Sequence, residues 1–284
     1  MSTKNGNEIL RGTGLLVIEV INSNPNGDPD RESDPRQRPD ERGEISPVSF
    51  KRKIRDLVEE KEGPVWKALE QGQSLNAQEF AILESRKTAL KDIRAVDEAE
   101  FMKRYWDGRI FGNTELEKGR SVPVKTGVAQ FGLGLSVSPV RIERMTTTNP
   151  PVQGDKKVGM APLAYRIVEH GVYYMPFFIN PTAASKSGCK KQDIDLLLAL
   201  IPYAYAHTAS YVRPMVEVRH AWYIEHNNAL GSCSDFALIS ALTPKKKQEP
   251  DKPSKTWDEY EVPKELPVHL KNKVRPIRDL MEMP

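Results

Sequence analysis

Two adjacent stretches of this chain hold side chains whose types and spacing could do chemistry. In the first, Asn24-Pro-Asn-Gly-Asp-Pro-Asp30 and the residues after it, Asp28, Asp30 and Glu32 stand at the alternating positions of a calcium loop. The pattern then breaks. Ser33 stands where that loop needs glycine, and Pro39 where it needs a bidentate glutamate. A magnesium ion held by Asp28 and Asp30 stays open, beside the reading that these are turn-forming Asx-Pro units. The second stretch is a helix, with Ser46 as its N-cap, Pro47 at its first position, and Phe50, Ile54, Leu57 and Val58 as its apolar stripe. Lys51, Arg52, Lys53 and Arg55 crowd its first turns, and Glu59, Glu60 and Glu62 its end. Both groups oppose the helix dipole, at about 0.3–1 kcal/mol per charge. A phosphate backbone across the N-terminus would offset that, since free amides and cations would face one anion. A solvated charged face, with Lys51 and Arg55 one turn apart, is the alternative.

Two glycine-bearing blocks offer related chemistry. Gly108-Arg-Ile-Phe-Gly112 and Lys125–Gly134 suit backbone that approaches a ligand closely. Arg109, Phe111 and Gln130 would supply a cation, a stacking ring and an amide, the groups that hold single-stranded RNA; Phe111 could equally be core and Gly112 a turn. Other enzyme signatures fail. There is no phosphate-binding GxxxxGK[ST] loop, no HExxH and no GxSxG. Ser187-Gly-Cys-Lys190 and Lys125-Thr-Gly127 stand in the wrong order for a penicillin-binding site. The histidines are scattered, and Cys189 and Cys233 have no CxxC spacing, which argues against a zinc ribbon or disulfide scaffold.

The elements that must position these residues alternate in kind. Leu15–Ile21 is β-branched and reads as a buried strand; Asn22 to Ser46 reads as a long loop. After the basic helix, residues 64–104 read as further helix, with Gly72 as a breaker. Val122–Val140, Tyr165–Ile179 and Val216–Ile224 read as strands, and Asp193–Ala206 as a helix kinked at Pro202. Asp235–Leu242 reads as one more strand. The order strand, helix, strand, strand, helix, strand is the βαββαβ pattern, with insertions near 61–104 and Met145–Leu163. The tail from Ala241 holds seven of the 22 prolines and reads as an extended wrap.

Composition sets limits. The 284 residues carry 42 Lys+Arg and 39 Asp+Glu, a net +3 that argues against a polycation or an acidic tail. Residues 59–100 alone hold ten acidic and six basic groups, so the remainder sums to +7. The longest apolar run, Leu196–Ile201, is far short of a membrane span, and the N-terminus shows no signal peptide. The expectation is a soluble, reducing, cytoplasmic protein.

Asn24 to Asp30, the helix Phe50-Lys-Arg-Lys-Ile-Arg55, Arg109-Ile-Phe-Gly112 and Arg144-Met-Thr-Thr-Thr148 follow one another in an order with a precedent. From about residue 15 to 240 the chain resembles the crRNA-binding backbone subunit of type I CRISPR Cascade complexes, a RAMP-superfamily protein of the I-C or I-B branches. The resemblance implies an α+β fold. Its RRM-like (ferredoxin-like βαββαβ) palm spans 1–60 and 108–243, with a β-hairpin thumb near 145–163, helical fingers at 61–107, and an extended Pro/Lys-rich segment at 244–284. It implies a non-catalytic subunit that oligomerises along the crRNA spacer and presents it to target DNA in antiviral defence. Implied partners are crRNA, target DNA through it, head-to-tail copies of itself and other Cascade subunits, with no cofactor, metal or membrane. The implied RNA-binding residues are Asn24, Asn26, Asp28, Lys51, Arg52, Arg55, Arg109, Phe111, Gly112, Lys125, Gln130, Met145, Thr146 and Met160, the two methionines at either base of the thumb.

Ser121-Val-Pro-Val124 and the Pro/Lys-rich tail depart from the relatives. Type III relatives cleave target RNA with a palm-loop aspartate, and Asp28, Asp30 and Asp34 fall in a comparable region. A metal-dependent endoribonuclease using Asp28 and Asp30 is therefore the second reading, and an RNA chaperone of RRM type the third.

Overall fold

The computed structural model describes residues 8–85, 98–112, 126–148 and 162–282. Its strands are β1 (Gly12–Ser23), β2 (Gly27–Asp28), β3 (Asp34–Pro35), β4 (Arg42–Ile45), β5 (Ala129–Phe131), β6 (Gly134–Pro139), β7 (Ile142–Thr148), β8 (Pro162–Ile179), β9 (Val216–Glu225), β10 (Lys245–Lys246), β11 (Tyr260–Glu261) and β12 (Arg278–Asp279). Its α-helices are α1 (Pro47–Glu59), α2 (Pro64–Gln73), α3 (Glu98–Arg104), α4 (Trp106–Phe111), α5 (Pro181–Ser187), α6 (Lys191–Leu200), α7 (Asp235–Leu242) and α8 (Val268–Lys271).

Strand alternation decides where the core lies. Successive side chains of a strand point to opposite faces, and β1 sends Leu16, Ile18 and Val20 to one buried cluster and Leu15 and Val17 to another. A strand covered on both sides reads as a near-continuous apolar run, as Leu15–Ile21 does apart from Glu19. β1 pairs antiparallel with both β8 and β9, and the main sheet runs β12-β9-β1-β8-β6-β4, with β5 and β7 also on β8. Gly14 allows tight packing here, since a Cβ at that position would stand 2.1 Å from the Phe177 ring. The architecture is α+β on an antiparallel sheet.

Helices cover the first face. α1 begins where Ser46 Oγ accepts the Ser49 N–H at 3.2 Å, and it buries Phe50, Ile54, Leu57 and Val58. Leu196, Leu197 and Leu200 of α6 join the same cluster, as do Trp66 from the acidic helical segment and Trp106 and Ile110 of α4. That segment shares the core of the sheet. The second face is covered by α7 and the C-terminal segment, through Leu238, Leu242, Tyr260, Leu266 and Leu270.

Three expectations need correction. Asp235–Leu242 is a helix, capped by Ser234, and its buried Leu238, Ile239 and Leu242 lie on one helical face. The stretch from Asn22 to Ser46 contains β2, β3 and β4, and β4 joins the main sheet as an edge strand on β6. The α1 helix ends at Glu59, so Glu60 and Glu62 lie beyond it. The described C-terminal residues make contacts on both faces of the sheet. They cross the second face, add β12 to the outer edge of β9, and bring Leu280 into the cluster of the first face. No described helix is long and apolar enough to cross a membrane.

Asp279 fastens that wrap. Its carboxylate accepts the Ala221 N–H at 2.9 Å and the Met281 N–H at 3.1 Å, and pairs with His220 Nδ1 at 2.7 Å. Burial alone would push this carboxyl up, but the hydrogen bonds outweigh it and hold it below its ordinary value. A carboxylate depressed in the folded state contributes stability that is complete above the unfolded pKa, near 3.9, and is lost as pH falls through the folded value. Asp279→Asn is therefore expected to lower the melting temperature at neutral pH, by a margin that shrinks steadily below about pH 4. Thermal melts across the acid range check this, and an undiminished margin at low pH would refute it.

Candidate nucleic-acid interface

The loop before α1 is built by its asparagines. Asn26 Oδ1 accepts the Ser46 N–H at 2.7 Å, which ties the loop to the helix cap. Asn24 Nδ2 donates to the Ser33 carbonyl at 2.9 Å, and the Asn24 carbonyl accepts from Arg213 Nε at 2.8 Å. Both asparagines are buried. Asp28 accepts the Asp30 N–H at 3.2 Å and lies 3.8 Å from Arg36. Among the described residues no three His, Cys, Asp or Glu side chains are grouped to hold a metal ion.

Arg52 and Arg55 of α1 find carboxylates within the protein and Lys53 a carbonyl, which corrects the dipole argument. Lys53 donates to the Thr208 carbonyl at 3.0 Å, and Arg52 lies 3.6 Å from Asp56. Arg55, with 4% of its side chain exposed, pairs with Asp107 at 2.9 Å and Glu84 at 3.0 Å. Lys51 differs. Its ammonium lies 5.2 Å from the centroid of the Phe111 ring, and among the described residues it has no hydrogen bond or ion pair. Burial pushes its pKa down, the Arg55 charge pushes it further, and Glu84 only partly opposes them. Lys51 is a half-buried cation with an aromatic floor and, among the described residues, no direct ion pair.

The α4 helix carries the largest correction. Every residue from Trp106 to Phe111 is buried. Arg109 uses all five of its N–H donors: Nε and one Nη2 donor on Asp193 at 3.0 and 2.7 Å, the other Nη2 donor on Glu79 O, and Nη1 on the carbonyls of Met102 and Lys103. Nothing on that guanidinium is left for RNA. Phe111 packs edge-on against Trp106 and Phe131, and Gly112 bridges to Thr126. The glycine at 127 serves chain packing, because a Cβ there would stand 2.1 Å from the Phe111 carbonyl carbon. Gln130 Nε2 donates to the Gly127 carbonyl at 2.9 Å. Arg55, Arg109, Phe111 and Gly112, expected at the RNA, each have partners within the fold. Asp107 carries a structural role that its place between Trp106 and Ile110, amid large apolar side chains, could have signalled, whereas nothing local points to Asp193.

β7 and β8 pair from Ile142↔Val168 out to Thr148↔Pro162, a two-stranded ribbon that leaves the sheet. Met145 and Thr146 lie on it opposite Tyr165 and Ala164, while Lys125 and Met160 lie outside the described residues. Arg144 faces Arg166 across the ribbon, a like-charge pair that would weaken it. Asp34 resolves the repulsion, at 2.7 Å from Arg144 Nη2 and 3.0 Å from Arg166 Nε, and Glu32 also pairs with Arg166.

The fold and site define an α+β protein in which a loop-braced basic helix and a protruding β-ribbon flank one antiparallel sheet. Residues 10–265 match the family model of the CRISPR-associated protein Cas7, and the chain belongs to that family. No curated protein matches it. A solved chain of a "CRISPR RNA-guided surveillance complex, pre-nicking" is 14% identical with a TM-score of 0.50, over 82% of this chain and 83% of that one. A chain of a "CRISPR RNA-guided surveillance complex" is 15% identical with a TM-score of 0.41, over 81% of this chain and 75% of that one.

Removing one partner of a buried ion pair typically costs about 3–5 kcal/mol, because the other charge is left uncompensated. Arg109→Ala and Arg55→Ala should each lose stability on that scale in urea titrations, whereas Lys51→Ala should lose little. Arg109→Ala with the parent's midpoint would contradict the assignment of Arg109 to the core.

Proposed function

We propose that this chain is the non-catalytic crRNA-binding backbone subunit of a type I CRISPR surveillance complex. The observation that carries the binding site is Lys51, a half-buried cation that has no direct ion pair among the described residues, on the helix that Asn26 braces. Family membership supplies the context. The palm is RRM-like: the strand order β9-β1-β8-β6, with α1 after β1 and α6 after β8, supports that reading. The palm takes residues 1–60 and 108–243, the fingers 61–107, and the segment 244–284 closes the second face. The β7–β8 ribbon is the stem of a thumb, and Met145, Thr146 and Met160 act there. Lys51, with Arg52 beside it, meets the guide's phosphates, and Lys125 adds to the track. Asn24, Asn26 and Asp28 shape the loop that holds the helix cap.

Copies stacked head to tail would then share one guide, leave its bases free, and let pairing with target DNA carry specificity. RNA binding should be steeply salt-dependent and nearly indifferent to sequence. A phosphate beside Lys51 raises an ammonium that burial has lowered, so binding takes up a proton. Affinity should fall as pH rises through the free protein's depressed Lys51 pKa. Fluorescence anisotropy with a cytidine homopolymer should give weaker binding for Lys51→Ala/Arg52→Ala, and for Lys51→Arg a flattened alkaline limb. Parent-like binding by the double variant would remove this helix from the interface.

A further inference from the structure

Lys61 sits in the turn between α1 and α2, where its backbone N–H donates to the Glu59 carbonyl at 3.0 Å. Its side chain lies over α2. The Nζ atom stands 3.1 Å from the centroid of the Trp66 ring and donates to the Phe80 carbonyl at 2.9 Å, its one hydrogen bond among the described residues. Trp66 is itself buried and packs on the Phe80 ring, with centroids 6.0 Å apart, so the amine rests on a fixed floor. Among the described residues no carboxylate forms an ion pair with it.

An ammonium held this way exchanges water for one carbonyl and an aromatic face, and gains no anion. Burial brings the Lys61 pKa down to about 7, and the Glu70 carboxylate of α2 opposes that fall only in part. An ordinary lysine amine, with a pKa of about 10.4, is almost wholly protonated at neutral pH and has no lone pair to offer. Near pH 7 a large share of Lys61 is free base, and desolvation of this kind is how lysine nucleophiles are activated. The residue also lines a cleft of about 610 Å3, together with Asn76, Glu79, Glu100, Lys103 and Arg104. Lys103 and Arg104, neighbours at the end of α3, are exposed, and they put two cations on the wall of a cleft that also holds a nucleophile.

We propose that Lys61 is an acylation site, which takes its acyl group from a small acyl phosphate whose phosphoryl end is held by Lys103 and Arg104. The free amine attacks the acyl carbonyl carbon. The new C–N bond forms as the C–O bond to phosphorus-bound oxygen breaks, and the electron pair leaves with that oxygen. The proton lost from nitrogen goes to the released phosphate. The product is a neutral amide, so the cation over the Trp66 ring is lost, and no oxidant or reductant takes part. The reaction stands apart from RNA binding at α1.

The test uses the full chain and acetyl phosphate, with the extent of acetylation at each lysine read by peptide mass spectrometry from about pH 6 to pH 9, below the ordinary lysine range. Near pH 7 Lys61 should react roughly tenfold faster than the exposed Lys245 and Lys273, since its lone pair is already available. Its rate should level off above about pH 7, where deprotonation is complete. In urea the advantage should vanish, because the floor of Trp66 and Phe80 is gone. A Lys61 rate equal to that of the two reference lysines, or one with no plateau, overturns the proposal. The donor is tested with Lys103→Ser/Arg104→Ser, using p-nitrophenyl acetate as an uncharged acyl donor beside acetyl phosphate. The variant should slow acetyl phosphate at Lys61 severalfold relative to the ester. An unchanged ratio of the two donors would show that the cleft does not hold the phosphoryl group, and would overturn the assignment of the donor.

Discussion

Six buried residues, Trp106 to Phe111, hold the helical side of this protein together, and they do so with opposite charges two positions apart. Asp107 reaches Arg55 of α1 and accepts the N–H groups of Leu83 and Glu84. Arg109 reaches Asp193, which also accepts the Lys190 N–H at the start of α6. One short helix thus ties α1, α6 and the segments on either side of it, and Trp106 Nε1 adds a hydrogen bond to the Asp193 carbonyl. Buried pairs contribute little net stability against an apolar replacement, but breaking them is expensive. Their effect is to define one arrangement: α4 fits only where an acid and a base wait at opposite ends.

With the first face settled by α4, the second face is settled by a polar seam. Arg219 of β9 lies 3.2 Å from Glu19 of β1, which is 3.2 Å from His170 of β8. His170 then meets Ser254, Ser254 meets Tyr260, and Tyr260 reaches Ser138 of β6 at 2.8 Å. The chain crosses the central strands in order and satisfies polar groups that would otherwise be buried alone. Because the C-terminal segment supplies two of its members, the sheet surface beneath is closed. RNA cannot lie flat on it in the manner of domains that stack bases on exposed strand aromatics.

How much of this is legible in the sequence depends on whether a residue's surroundings are local. Leu15–Ile21 announces a strand by composition, and Ser46-Pro47 with its stripe announces α1, because caps and periodicity act within a few residues. α7 reads as a strand because Asp235–Leu242 is too short and too uniformly apolar for its period to separate helix from strand. Arg109 and Arg55 mislead for another reason. Their guanidiniums are satisfied by Asp193 and Asp107, 84 and 52 residues away, and no local pattern says whether a cation faces water or a distant carboxylate. Lys51 belongs to the same cluster, and what singles it out among those cations is that none of the described residues pairs with it, which only the fold reveals.

The sheet's two margins also bear on how copies can meet. A strand edge with free N–H and C=O groups invites pairing with another chain, and proteins blunt it with short strands, charges and bulges. Here one margin ends in the two-residue β12, which covers part of β9. The other ends in β4, four residues long, with a register shift against β6 between Arg42 and Glu44 and charged side chains at both. Neither edge offers a long flat ladder, so a filament built by extending the sheet from copy to copy is disfavoured. What projects from the sheet is the ribbon, braced at its foot by Asp34 between two arginines.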